Sequence, residues 1–195
     1  LYGSYFVDRS YVEGVLSCRT ANGFGNRDPQ VAASLPYTSG SMLAAARHAL
    51  RTGGVAVSPS SGFHHAGYDH GGGYCTFNGL MVAALSLKHE RLIDRIGILD
   101  FDQHYGDGTA HIIDRLGLDW VAHYTAGEHF GSPAQAGAFL KAVPGIVERM
   151  SGCDVLLYQA GADPHVDDPL GGWLASEELQ ERDRLVFATA KAIAV

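Results

Sequence analysis

The chain has 195 residues, with 14 Lys+Arg against 21 Asp+Glu, and a formal net charge of −7 when its ten histidines are neutral. At 46% hydrophobic and 18% charged, the composition is that of a folding chain rather than a disordered one. An acidic balance without a Lys/Arg-rich run argues against binding to a nucleic-acid backbone, and no apolar run approaches the ~20 residues of a membrane span. The N-terminus shows no secretory layout. The three cysteines, Cys18, Cys75 and Cys153, are odd in number and far apart. They make neither a disulfide framework nor a paired-cysteine zinc site, which fits a reducing compartment, so a cytoplasmic protein is expected. Nothing in the sequence sets the oligomeric state.

In chain order, the Ala-rich segment Ser39–Arg51 before Gly53-Gly54 predicts a helix with a glycine stop. Val55-Ala-Val57 reads as a short strand running into the loop Ser58–Gly62. Phe77–Lys88 reads as a helix, with Leu80, Ala84 and Leu87 on one stripe. Ile96–Phe101 is a strand of buried type, Thr109–Leu116 a short helix, and Trp120–His123 another strand. Gln135–Met150 is helical in pattern, with Pro144 expected to kink or split it. Asp154–Tyr158 is a strand, and Ser176–Ala194 a long helix whose acidic start, Ser176–Asp183, reads as a solvated face. Continuously apolar strands alternating with helices predict one α/β domain: three layers, a mostly parallel sheet with helices on both faces. In such sheets, sites form beyond the carboxyl ends of the strands.

Three of these strands open into loops carrying Asp or His. Val55–Val57 leads to His64-His65, Ile96–Phe101 to Asp102 and His104, and Asp154–Tyr158 to Asp163 and His165. In an extended segment residues i and i+2 point to the same side, so Asp102 and His104 can grip one ion. Asp163 supplies a third ligand from a neighbouring strand. Three N/O ligands with an open position make the pattern of a catalytic zinc site, and two aspartates with one histidine accept Fe2+ as well.

Two adjacent histidines beside a metal suggest proton transfer, because imidazole titrates near working pH. A working histidine needs a carboxylate to orient it, and Asp100 and Asp107 flank the ligand pair. Asp100, at the end of an apolar strand, is otherwise an expensive place for a charge. The run Gly71-Gly-Gly-Tyr74 lacks the ending of a phosphate loop. It allows close backbone approach to a ligand, with Tyr74 as an aromatic wall; a plain turn with a core aromatic is the alternative. Cys75, before a helix, is read as a small buried hydrophobe. His48, His70, His89, His111, His123 and His129 read as helix or loop residues, with His165 near the rim.

Together these residues resemble the histone deacetylase / acetylpolyamine amidohydrolase family, of the arginase–deacetylase fold. The resemblance rests on Gly62-Phe-His-His-Ala66, Gly73-Tyr-Cys-Thr-Phe-Asn78, Leu99–Thr109 and Ala160–Gly172, in the family's order, within a span from about Asn22 to Leu174. It implies a zinc-dependent amide hydrolase acting on an acylated lysine or acylated polyamine. It implies zinc on Asp102, His104 and Asp163, and His65 as general base and acid with Asp107 as its partner. His64 takes the second, electrostatic place, paired with Asp100; Gly73 and Tyr74 line the acyl-lysine tunnel. A structural K+ near Asp100 is implied as well.

Three departures from the family pattern are visible. Tyr105 stands where a second histidine is usual, and His123 stands at a cation-site serine position. The carbonyl-polarising Tyr belongs in a Gly-Gly-Tyr segment after one more strand, and none follows Asp163. The resemblance therefore implies a domain lacking its C-terminal part and some N-terminal elements. It leaves an alternative in which the chain binds acylated ligands without turnover. A two-metal, arginase-like hydrolase could draw on Asp107 and Asp167 or Asp168, but the tandem histidines speak against it.

Overall fold

From Gly79 onward, helices and strands alternate. The elements in order are α1 (Arg9–Leu16), α2 (Pro29–Thr52), α3 (Gly79–His89), β1 (Ile96–Asp100), α4 (Asp107–Leu116), β2 (Val121–Thr125), α5 (Ala136–Glu148), β3 (Val155–Gln159) and α6 (Ser176–Ile193). The structure is a computed structural model and describes residues 7–60 and 63–193. Gly62, which opens the first quoted motif, and Ala194, the expected end of the last helix, lie outside the described residues. The fold is two compact units: the described residues up to Asp94 with Gly106–Val121, and Arg95–Tyr105 with the described residues from Ala122 onward.

In the first unit, Asp28 starts α2 by accepting the Gln30 N–H at 2.8 Å, and Pro29 occupies the first turn, where its missing N–H costs nothing. Ala32, Leu35, Ser39, Leu43 and Ala46 form its buried stripe. The sequence reading starts this helix ten residues later, at Ser39, whereas the helix runs through Pro36. An interior proline costs ~3 kcal/mol, but that stripe and a good cap outweigh one lost hydrogen bond. Gly53 ends the helix at φ 63°, as the glycine stop predicts. Asn78 caps α3 through the Met81 N–H, and every residue from Gly79 to Leu87 is buried. Tyr11, Val15 and Leu35 close a small core with Phe77.

Val55–Val57 is not a strand. Val55 is 70% and Val57 78% exposed, and the segment pairs with no strand among the described residues. An apolar tripeptide alone has no ladder to complete, so its β-propensity goes unused.

The second unit holds the sheet, in the order β2-β1-β3. β1 pairs in parallel with β3, in a register running from Ile96↔Val155 to Asp100↔Gln159. All five residues of β1 are buried, as its central place demands. Phe101, Phe139, Val143, Val147, Trp173, Leu174 and Val186 form the core. Phe101 and Trp173 each meet Phe139 edge-on, at 5.2 and 5.1 Å between centroids. Pro144 does not split α5, which continues through it. Burying Phe139, Val143, Ile146 and Val147 stabilises by roughly 1.5–3 kcal/mol each, more than one proline costs. No helix among the described residues is long and apolar enough to cross a membrane.

Candidate functional site

Because Asp100 and Gln159 are register partners, the chain leaves β1 and β3 at neighbouring points. Asp102 and His104 follow the first exit, and Asp163 follows the second. Each offers one ligand atom, and these atoms lie within 4.8 Å of one another. His104 Nδ1 is 2.9 Å from Asp163 Oδ2 and 3.2 Å from Asp102 Oδ1. Backbone N–H groups aim the carboxylates: Asp102 Oδ1 accepts from His104 at 2.9 Å, and Asp163 Oδ1 from Gln103 at 3.2 Å. Asp100, with no exposed surface, accepts the Asp102 N–H at 3.2 Å.

Burial, then the neighbouring Asp102 carboxylate, push the Asp163 carboxyl above its usual range. Two half-buried carboxylates facing one imidazole disfavour each other's charge, and a divalent cation would remove that conflict. The donor set and its spacing therefore fit a divalent metal.

Two residues that the sequence reading gave no role hold these loops together. A Cβ on Gly161 would stand 2.7 Å from both Asp102 Cα and Asp163 Oδ1, so only glycine lets the two loops approach this closely. Arg182, on α6, is 1% exposed. Its Nη1 donates to the carbonyls of Phe101 at 3.1 Å and Gly161 at 2.8 Å, and its Nε to Asp183 at 2.8 Å. The reading of Ser176–Asp183 as a solvated face fails at this residue. A helical repeat that puts Glu177 and Gln180 in water turns Arg182 inward. Only its charged context argued for exposure.

The histidine pair lies in the first unit. His65 Nδ1 donates to Asp107 Oδ1 at 2.6 Å. His64 is 3% exposed, and the two rings lie 4.1 Å apart, tilted by 49°. The pair's backbone is fixed from two sides: Thr109 N–H donates to the His64 carbonyl at 3.0 Å, and Asn78 Nδ2 to the Ala66 carbonyl at 3.1 Å. Asn78 also donates to Thr109 Oγ1 at 2.9 Å, so the N-cap of α3 and the first turn of α4 share one buried knot. Gly73 has a φ of +52°, and a Cβ there would come within 2.8 Å of His65 Cγ. Tyr74, itself at φ 65°, is 61% exposed and meets Phe24 at 5.8 Å. Of the residues expected at the site, the structure thus gathers Asp100, Asp102, His104 and Asp163 in one unit. It gathers His64, His65, Gly73, Tyr74 and Asp107 in the other.

A model of the histone deacetylase domain matches residues 14–118, more than half of the chain. The chain belongs to the histone deacetylase family. The matched span includes both histidines of the pair, Asp102, His104 and Asp107; Asp163 lies beyond it. An uncharacterised protein of Picosynechococcus is 30% identical over 156 residues, 71% of this chain and 52% of that protein. Acetylpolyamine amidohydrolase 2 of Pseudomonas aeruginosa is 47% identical over 49 residues, 25% of this chain and 14% of the relative. The crystal structure of a histone deacetylase homolog complexed with SAHA superposes with a TM-score of 0.77 at 20% identity, over 97% of this chain and 62% of the other. That likeness shows the α/β deacetylase fold. The chain spans about half the length of its Picosynechococcus relative.

Proposed function

We propose that this member of the deacetylase family is part of a metal-dependent amide hydrolase that removes the acyl group from an acylated lysine or an acylated polyamine. The Asp102–His104–Asp163 cluster carries this reading. The name of the Pseudomonas relative, an acetylpolyamine amidohydrolase, supports an acylated amine as substrate. Asp102, His104 and Asp163 would hold Zn2+, with Fe2+ as the alternative metal. When bound, such an ion lowers the pKa of water and polarises a carbonyl.

The chain's own groups move the protons. Asp107 holds the His65 ring through Nδ1, which supports proton transfer at Nε2. His65 takes a proton from the attacking water and returns it to the leaving nitrogen. The C–N bond breaks, a C–O bond forms, and a carboxylic acid and a free amine result. General acid–base action of this kind contributes about 10²–10⁴-fold. His64, buried beside His65, supplies the electrostatic second histidine, and K+ is the structural ion near Asp100. Gly73 and Tyr74 would flank the acyl-amine chain. The acidic balance suits a cationic amine carrier rather than a nucleic acid, and the cysteine pattern suits the cytoplasm.

The experiment is a deacylation assay with the whole protein, its metal content measured, on acetyl-lysine peptides and acetylated polyamines. Turnover that disappears in Asp102→Ala and His65→Ala is expected. A metal-loaded protein inactive on every acylated amine would overturn the reading.

A further inference from the structure

We propose that Asp69, His70 and His111 form a second metal site, of imidazole-rich chemistry, that shares no residue with the Asp102–His104–Asp163 cluster. All three lie in the first unit, and each offers one ligand atom within 4.8 Å of the others. Asp69 and His70 sit in the loop that follows the histidine pair, and His111 sits on α4. The two rings lie 5.1 Å apart, tilted by 40°.

The ring nitrogens are arranged for binding. His70 Nδ1 donates to Asp69 Oδ1 at 2.9 Å, which leaves the lone pair on Nε2. A Cβ on Gly67 would stand 2.7 Å from His70 Nε2 and 2.7 Å from His111 Nδ1. The two nitrogens therefore face one small space, and it is open because residue 67 has no side chain. The Gly67 N–H closes the loop onto the His70 carbonyl at 3.0 Å. The Tyr68 N–H reaches His111 Nδ1 at 3.3 Å, a long contact that a metal would displace at little cost. The hydrogen bond from His70, with lesser contributions from Arg115 and His111, holds the Asp69 carboxyl below its usual range, so it is ionised at neutral pH.

Two imidazoles, one of them oriented by the Asp69 carboxylate, select Zn2+, Ni2+ or Cu2+ over Mg2+ or Ca2+. Asp69 and His70 are exposed, so water completes the coordination and the site exchanges metal readily. Its position gives it an effect. The loop begins just after His65, and α4 begins at Asp107. A metal here ties together the two segments that carry the His65–Asp107 pair.

The test is equilibrium dialysis of the whole chain against Zn2+, followed by elemental analysis. His70→Ala, His111→Ala and Gly67→Ala should each lose one equivalent relative to the parent, and Asp163→Asn should retain that equivalent. Identical zinc content in parent, His70→Ala and His111→Ala would overturn the proposal. In the unsubstituted chain, sub-stoichiometric Cu2+ should broaden the ring resonances of His70 and His111 before that of exposed His48. Equal broadening of all three would overturn it without any variant. Neither readout depends on amide hydrolysis.

Discussion

Arg182 Nη1 donates to the carbonyl of Gly161 at 2.8 Å, two residues before Asp163. The same nitrogen donates to the carbonyl of Phe101, the residue before Asp102. One buried cation thus fixes the backbone just ahead of two carboxylates that arrive from different strands. Arg182→Met should leave both carbonyls without a donor, at about 1–3 kcal/mol each. Outer partners of metal ligands typically matter 10–100-fold in affinity. A weakening of roughly that size in Zn2+ affinity is expected, and Arg182→Lys should rescue little, because an ammonium lacks the guanidinium fork. Calorimetric titration of folded variants decides it; unchanged affinity in Arg182→Met would refute the positioning role.

Gly161→Ala isolates spacing from charge. Its Cβ would press on Asp102 Cα and Asp163 Oδ1 at 2.7 Å. The loops must separate by several tenths of an ångström, so metal binding should fall by an order of magnitude or more while all three ligands remain. Zinc affinity measured beside thermal stability distinguishes this from general unfolding.

Asp107→Asn should preserve the contact to His65 Nδ1 but remove the negative charge that favours imidazolium. Deacylation is expected to fall by about 10–100-fold, with metal content unchanged, because Asp107 is not among the clustered ligands. Assay of kcat and KM separately should place the loss in kcat. Loss of metal instead would count against this role.

Stability should decline in alkali through Tyr158. Burial, with the Asp183 carboxylate it donates to, raises its hydroxyl above the ordinary value of 10.0. A folded-state pKa above the unfolded one contributes stability that is complete below pH 10 and lost as pH rises towards the folded value. The limiting slope is ~1.4 kcal/mol per pH unit. Denaturant unfolding of Tyr158→Phe should show a flatter alkaline limb than the parent, and equal slopes would exclude Tyr158 as the cause.

The clustering of the candidate site residues was legible where they stand at short spacing in the sequence. Asp102 and His104 are two residues apart at the end of an apolar strand, and His64-His65 are adjacent. The central strand was legible as well, because fully buried β1 reads as an apolar run up to Asp100. What escaped depends on distant partners. Arg182 meets Phe101 and Gly161 across long stretches of chain, and nothing local distinguishes it from a surface arginine. Asn78 and Thr109 stood inside quoted motifs, yet their shared hydrogen bond exists only once α3 and α4 are placed. Val55–Val57 erred in the opposite direction, since its local propensity was right and the pairing it needs is missing among the described residues.

The pairing of β1 with β3 also sets when the metal cluster can exist. α4, β2 and α5 lie between the two strands in sequence, so Asp102 and Asp163 meet only after a long loop has closed. A nascent or partly unfolded chain therefore carries the local Asp102–His104 pair and a distant Asp163 instead of the three-ligand cluster. Capture of an ion by all three side chains should follow, not guide, the folding of this unit, and an ion held there would stabilise the native state by mass action. Metal starvation would then show itself as faster opening of the β1–β3 junction in hydrogen exchange, well before any loss of helix.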